Sequence, residues 1–188
     1  MSRPNIIGRY DEIRMQAREA AQDDLQAQIN EGLFDYDGTS FHDVQIEIGP
    51  IDEVALDAWS LTWDGHADRR YAWDWRYERS SWQTTLRRVD AAIWGNGELC
   101  GLMIGMPTKG RTFLRVDLLE GSPDTGHCLK RRIAYCVTEI AEVFGFAFGC
   151  GSVSLMRPVA DAIPLYEELG FELSWTQNKV PHCTKRID

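Results

Sequence analysis

The stretch AIPLYEELGFEL, residues 162–173, decides how the chain folds. Asp161 just before it is the residue type that caps a helix N-terminus, and Gly170 is the type that closes a helix in the left-handed conformation. The spacing therefore predicts a short helix, ended by the glycine, that turns straight into a strand, FELSWTQ (171–177). The chain then closes with a second strand, HCTKRI (182–187).

Working outward from that stretch, GSVSLM (151–156) reads as the strand before the helix. LKRRIAYCVTEIAEVFG (129–145) is an amphipathic helix, with Leu129, Ile133, Cys136, Val137, Ile140 and Val143 on its apolar side and Gly145 at its end. Residues 86–121 hold two turn signals. Asn96-Gly97 is the pair that a type I′ hairpin requires, because both residues take positive φ, and Lys109-Gly110 marks a second turn. Three antiparallel strands follow from them, at about 86–94, 98–106 and 111–119.

Further upstream, VQIEIGPI (44–51) alternates, with Val44, Ile46 and Ile48 on one face. DEVALDAWSLTW (52–63) is a helix with Asp52 as its N-cap and apolar residues at Val54, Leu56, Trp59 and Leu61. Residues 64–82 alternate Tyr71, Trp73, Trp75 and Tyr77 among many charges, and we expect a second helix or a lid there. A helix over 10–33 carries Tyr10, Ile13, Ala17, Ala21, Leu25, Ile29 and Leu33, with Gly32 at its end and a turn-rich loop, FDYDGTSFHD, behind it.

The order is helix, β, α, α, three strands, α, β, α, β, β. That pattern predicts an α/β (α+β) chain: a mixed, mostly antiparallel twisted sheet with helices on both faces, plus an N-terminal helix. We expect an N-terminal helical appendage over 1–42 and one domain over 43–188.

Composition narrows the function. The chain has 188 residues, 44% of them hydrophobic and 26% charged, enough for a packed core and against wholesale disorder. Its net charge of −9 repels phosphate backbones, which weighs against a nucleic-acid partner without excluding one. Five cysteines without a CxxC pair, and scattered histidines, argue against a disulfide framework and a metal site. The start, MSRPNIIGRY, has no apolar leader segment, and no apolar run reaches membrane-spanning length. A cytoplasmic location is expected.

Over roughly 44–187 this order resembles the GNAT acyltransferase superfamily. Ala162, Leu165, Tyr166, Gly170 and Phe171 match its C-terminal motif A-x-x-L-Y-x-x-x-G-F. The resemblance implies an N-acyltransferase with acetyl-CoA as donor and an amine as acceptor. It implies that Tyr166 is the general acid for the departing thiolate, and that a base comes from an acid on the fourth strand or from a water; Asp117 and Glu120 are the candidate acids. Leu118 and Leu119 would hold the donor arm through their backbones.

The family's pyrophosphate loop, Q/R-x-x-G-x-G/A, binds phosphate through backbone N–H groups at a helix N-terminus. Its counterpart here is PDTGHC (123–128), where only Gly126 fits, and Asp124 adds an unfavourable charge. Gly126, His127, Cys128, Lys130 and Arg131 are the candidate donor-binding residues, the last two as compensating cations. Tyr71, Trp73, Trp75 and Tyr77, with Trp82 nearby, fall where such proteins build the acceptor site, and ring faces attract cations. Asp64, Asp68 and Asp74 add negative charge there.

Three readings follow: an N-acetyltransferase working by direct transfer in a ternary complex; a diverged protein of this fold with another donor, such as a Mom-like phage DNA-modification protein; and a non-catalytic binding module. A homodimer is compatible with the tryptophan-rich surface and the extra helix.

Overall fold

The structure is a computed structural model that describes residues 6–35, 38–71 and 73–187. Tyr36 and Asp37 of the expected loop, and Ala72 of the aromatic segment, lie outside the described residues. The element order is the one read from the sequence. Helices are α1 (Ile6–Asn30), α2 (Glu53–Thr62), α3 (Trp75–Ser81), α4 (Ile133–Phe148) and α5 (Ile163–Glu168). Strands are β1 (Ile46–Gly49), β2 (Val89–Gly95), β3 (Glu98–Pro107), β4 (Phe113–Gly121), β5 (Ser152–Met156), β6 (Glu172–Trp175) and β7 (Pro181–Arg186).

One seven-stranded sheet runs in the order β1-β2-β3-β4-β5-β7-β6. Every neighbouring pair is antiparallel except β4 and β5, which are parallel. The β2–β3 hairpin turns on Asn96 and Gly97, both at positive φ, as the type I′ geometry demands.

The sheet is covered on both faces. On one, Ala17, Ala21, Leu25 and Ile29 of α1 and Val137, Ile140, Ala141 and Phe144 of α4 pack with Val89, Ala91, Ile93, Met103 and Val116. On the other, Ala55, Leu56 and Trp59 of α2 and Trp75 of α3 pack on Ala92, Leu102 and Ile104. At roughly 25 cal/mol per Å² of apolar surface removed from water, these two layers dominate the folding energy. None of the helices among the described residues is long and apolar enough to cross a membrane.

Several boundaries differ from the sequence reading. α1 ends at Asn30, so Leu33 falls beyond the helix and off its apolar stripe and is exposed. Val54 and Leu61 of α2 are exposed as well, because only Ala55, Leu56 and Trp59 face the sheet. α4 begins at Ile133 rather than 129, since Arg131 at φ +65° interrupts helical geometry. It also runs through Gly145 and stops at Gly149, whose φ of +72° closes the helix. Asp161 does not cap α5: it lies in a 3₁₀ turn over Ala160–Ala162, and α5 has no side-chain cap.

Two glutamines of α1 reach the outer edge of the sheet. The Gln26 carboxamide oxygen accepts from the Ile46 amide, and the Gln22 oxygen from the Ile48 amide, both at 3.0 Å. A buried charge cluster ties the same helix to β2. Asp90, 1% exposed, pairs with Arg18 (3.2 Å) and Arg88 (3.1 Å) and accepts from the Ile51 amide (2.8 Å).

Candidate functional site

β4 and β5 pair only from Phe113↔Ser152 to Val116↔Leu155, while β4 continues to Gly121. The cause lies in the β3–β4 register. Ile104 faces Leu118 and Gly105 faces Val116, so Asp117 is an extra residue, a β-bulge that bends the strand. Gly105 is required opposite it, because a Cβ there would overlap the Arg115 carbonyl. Past Val116 and Leu155 the parting strands enclose a cavity of ≈ 440 Å³.

Asp117, Leu118 and Leu119 from β4, Tyr166 from α5, and Tyr71 and Trp73 from the loop before α3 all line this cavity. Six candidates drawn from three distant parts of the chain thus meet at one place. Tyr166 is buried and packs edge-on against Phe171, with ring centroids 6.0 Å apart. Burial pushes its phenol up to about 12, so it stays protonated. Burial also raises the Asp117 carboxyl, against the opposing pull of Arg115, which it meets at 2.9 Å, and of Arg157.

Glu120 is placed differently. It is not on the cavity wall; its carboxylate is buried and takes two hydrogen bonds from Arg69, at 2.8 and 3.0 Å. The Trp75 indole donates a third, at 2.5 Å. Arg69 also donates to the Trp73 carbonyl at 2.7 Å and lies over the Trp59 ring. This constellation clamps the loop between α2 and α3 onto β4, and so fixes the rings above the cavity.

The aromatic alternation is divided by that clamp. Tyr71 and Trp73 stack, with centroids 4.3 Å apart and planes 4° from parallel. Trp75 is wholly buried beneath them, and Trp82 packs on the same layer. Tyr77 points outward on α3. Of the nearby acids, Asp74 caps α3 through the Arg76 and Tyr77 amides, Asp64 pairs with Arg69, and Asp68 faces His66.

A second cavity, of ≈ 330 Å³, adjoins the first and shares Gly121, Ile133 and Ala134 with it. His127, Lys130 and Arg131 line it. The Gly126 amide donates to the Asp124 side chain at 2.8 Å and is not among the lining residues. Cys128 lines a separate cavity behind the loop, together with Phe41, Val44 and the same three basic residues. His127 is buried, its Nδ1 has no hydrogen-bond partner, and burial lowers its pKa against the opposing pull of Asp124 and Glu98.

The start of α4 lies one turn later than the sequence placed it. α4 starts at Ile133 without a side-chain cap, and Ile133 and Ala134 line both cavities, the second together with Arg70, Asp124, Lys130 and Arg131. The three cations fit a pyrophosphate, and the Asp124 carboxylate on the same wall opposes one. Sequence reasoning missed Ile133 and Ala134 as lining residues because the glycine pattern drew attention to 123–128. It also missed Arg69 and Arg157, which no local motif marks.

No protein-family model and no curated protein sequence matches the chain. Solved structures do. The PaiA N-acetyltransferase of Thermoplasma acidophilum in complex with coenzyme A is 17% identical, with a TM-score of 0.52 over 75% of this chain and 98% of that one. An aminoglycoside 6'-N-acetyltransferase complexed with coenzyme A is likewise 17% identical, with a TM-score of 0.52 over 75% and 97%. A spermidine N-acetyltransferase of Vibrio cholerae, in complex with CoA and spermine, is 11% identical, with a TM-score of 0.57 over 76% and 96%. The chain has the GNAT fold.

Proposed function

We propose that the chain is an acyl-CoA-dependent N-acyltransferase that passes acetyl from acetyl-CoA to a primary amine of a small molecule or protein. The parted β4 and β5 strands, with Tyr166 and Asp117 on one cavity, are the observation that carries this reading. Strands that separate leave backbone N–H and C=O groups unpaired, and such groups at Leu118 and Leu119 suit the amides of a pantetheine arm. The Ile133 and Ala134 amides, with Lys130 and Arg131, would hold the pyrophosphate.

In the proposed step the acceptor nitrogen attacks the thioester carbon. The C–N bond forms, the C–S bond breaks, and the electron pair leaves on sulfur. Asp117 takes the ammonium proton, directly or through a water, and its burial-raised carboxyl is better matched to that task than an ordinary aspartate. Tyr166 gives its phenolic proton to the thiolate. Positioning alone supplies about 7–11 kcal/mol of such a barrier, so no covalent enzyme intermediate is needed. Glu120, tied to Arg69 and Trp75, serves as the brace of the loop.

The same reading divides the chain at 42/43, takes an amine and an acyl-CoA as partners, and places the protein in the cytoplasm, with a homodimer allowed. The net charge of −9 weighs against a nucleic-acid acceptor.

The test is calorimetric titration with acetyl-CoA, beside rates over an amine panel for the wild type and Tyr166→Phe. Micromolar binding by both proteins, with the variant's kcat reduced about 10²–10⁴-fold, is the expected result. No binding at millimolar acetyl-CoA overturns the proposal.

A further inference from the structure

The walls of the reaction cavity carry two charged side chains, Asp117 and Arg157. Asp117 is already paired with Arg115. Arg157 is exposed and near enough to Asp117 to pull on its carboxyl, but among the described residues no carboxylate lies within ion-pair distance of it. Its backbone sits at φ +51°, just past the end of β5, and its amide donates to the Pro181 carbonyl at 2.9 Å. This unusual conformation sets the direction in which the side chain leaves the strand.

The cations of the molecule fall into separate groups here. Arg70, Lys130 and Arg131 line the cavity beside α4, where they outnumber Asp124 and suit the donor's phosphates, and do not line the reaction cavity. Arg157 does the reverse: it lines the reaction cavity with Tyr71, Trp73 and Asp117, and not the α4 cavity. A guanidinium without an ion-pair contact in a largely apolar cleft repels a bare cationic amine and attracts a carboxylate, which its planar fork can grip with two hydrogen bonds.

We propose that the acceptor carries a carboxylate beside its amine, and that Arg157 reads it. The favoured acceptors are small amino acids with a planar or apolar side chain. Their ring or chain lies against the stacked Tyr71–Trp73 pair, their nitrogen faces Asp117, and their carboxylate meets Arg157. Simple amines and polyamines are poor acceptors. The inference rests on the acyltransferase reading, and refines its acceptor from amines in general to amino acids.

The experiment uses matched pairs: phenylalanine, tyrosine, tryptophan, histidine and methionine, each against the amine left after loss of its carboxyl group. Binding to the CoA-saturated protein and kcat/KM with acetyl-CoA are measured for the wild type, Arg157→Gln and Arg157→Lys. A carboxylate-bearing member should be favoured by the wild type. Arg157→Gln should cost that member roughly 10- to 150-fold in binding, the range of a hydrogen bond between charged groups, and should not weaken binding of its amine partner. Arg157→Lys should restore part of the loss.

Equal binding within each pair, preference for the bare amine, or no binding by any amino acid overturns the proposal. A loss in Arg157→Gln that falls on acetyl-CoA affinity instead also overturns it, and assigns the residue to the donor. Failure of acetyl-CoA itself to bind the wild type is a separate result, and sinks the underlying acyltransferase reading.

Discussion

Replacing Asp90 by asparagine keeps the side-chain volume and removes one charge from the most crowded electrostatic site in the molecule. Asp90 is 1% exposed, and its partners Arg18 and Arg88 are 12% and 9% exposed at the side chain. Arg79 and Arg14 lie close enough to perturb the same cluster. With the carboxylate gone, these guanidinium groups face one another with little water between them. Breaking one side of a buried pair typically costs about 3–5 kcal/mol. For a domain of this size, that corresponds to a fall in Tm of roughly 6–20 °C.

The pH dependence has a definite sign. Burial alone would raise the Asp90 carboxyl, but Arg18, Arg88 and the Ile51 amide together hold it below its ordinary 3.8. A depressed folded-state pKa gives stability that is present above pH 3.8 and lost as the pH falls through the folded value. The gap between wild type and Asp90→Asn is therefore full at neutral pH and closes below pH 3.8. Urea titrations of both proteins, followed by tryptophan fluorescence across pH, measure it. A difference under about 1 kcal/mol at pH 7, with an unchanged m-value, would refute the reasoning, because the cluster would then be solvated or already balanced.

Other outcomes bear on the site. Glu120→Gln leaves Asp64 as the remaining ion-pair partner of Arg69, and should cost about 1–3 kcal/mol in a denaturant titration. The same change should loosen the Tyr71–Trp73 stack, seen as a loss of near-ultraviolet circular dichroism. Because burial raises Asp117, a base at that position remains protonated to a higher pH than an ordinary aspartate, so kcat/KM should climb with pH through the raised value. In Asp117→Asn that limb should vanish; a limb that survives assigns the base to another group. Gly105→Ala forces a Cβ against the Arg115 carbonyl, which cannot move without undoing the bulge. It should lower stability by about 1–3 kcal/mol, and an unchanged midpoint would show that the bulge is dispensable.

The fold was readable where local chemistry dictates geometry. Asn96-Gly97 can hardly be anything but a tight hairpin, and the periods of 129–145 and 44–51 reflect burial on one side of an element. Tyr166, Asp117, Leu118 and Leu119 were also within reach, because they fall on regular elements whose order fixes their place. What escaped depends on contacts between remote segments. The Asp117 bulge is visible only once β3 and β4 are in register. Arg69 and Glu120 stand 51 residues apart, and no spacing rule links them. The alternation of four rings could not separate the stacked Tyr71 and Trp73 from buried Trp75 and outward Tyr77, since each ring type is at home in any of these places. The late start of α4 followed from one arginine in a left-handed conformation, which no residue preference announces.

The two α1 glutamines that meet β1 make a helix stand in for a strand. Carboxamides four residues apart on a helix are separated by about 6 Å along its axis. Amides two residues apart on a strand are separated by about 6.8 Å. Gln22 and Gln26 can thus answer Ile48 and Ile46 almost in step, as a further strand would. The sheet is sealed on that side by side chains, and a chain shortened to begin after Asn30 would present raw β1 amides to any passing strand. Growth by strand addition in the intact protein is left to the far margin, at β6, where four residues ending in the exposed Trp175 form the other edge.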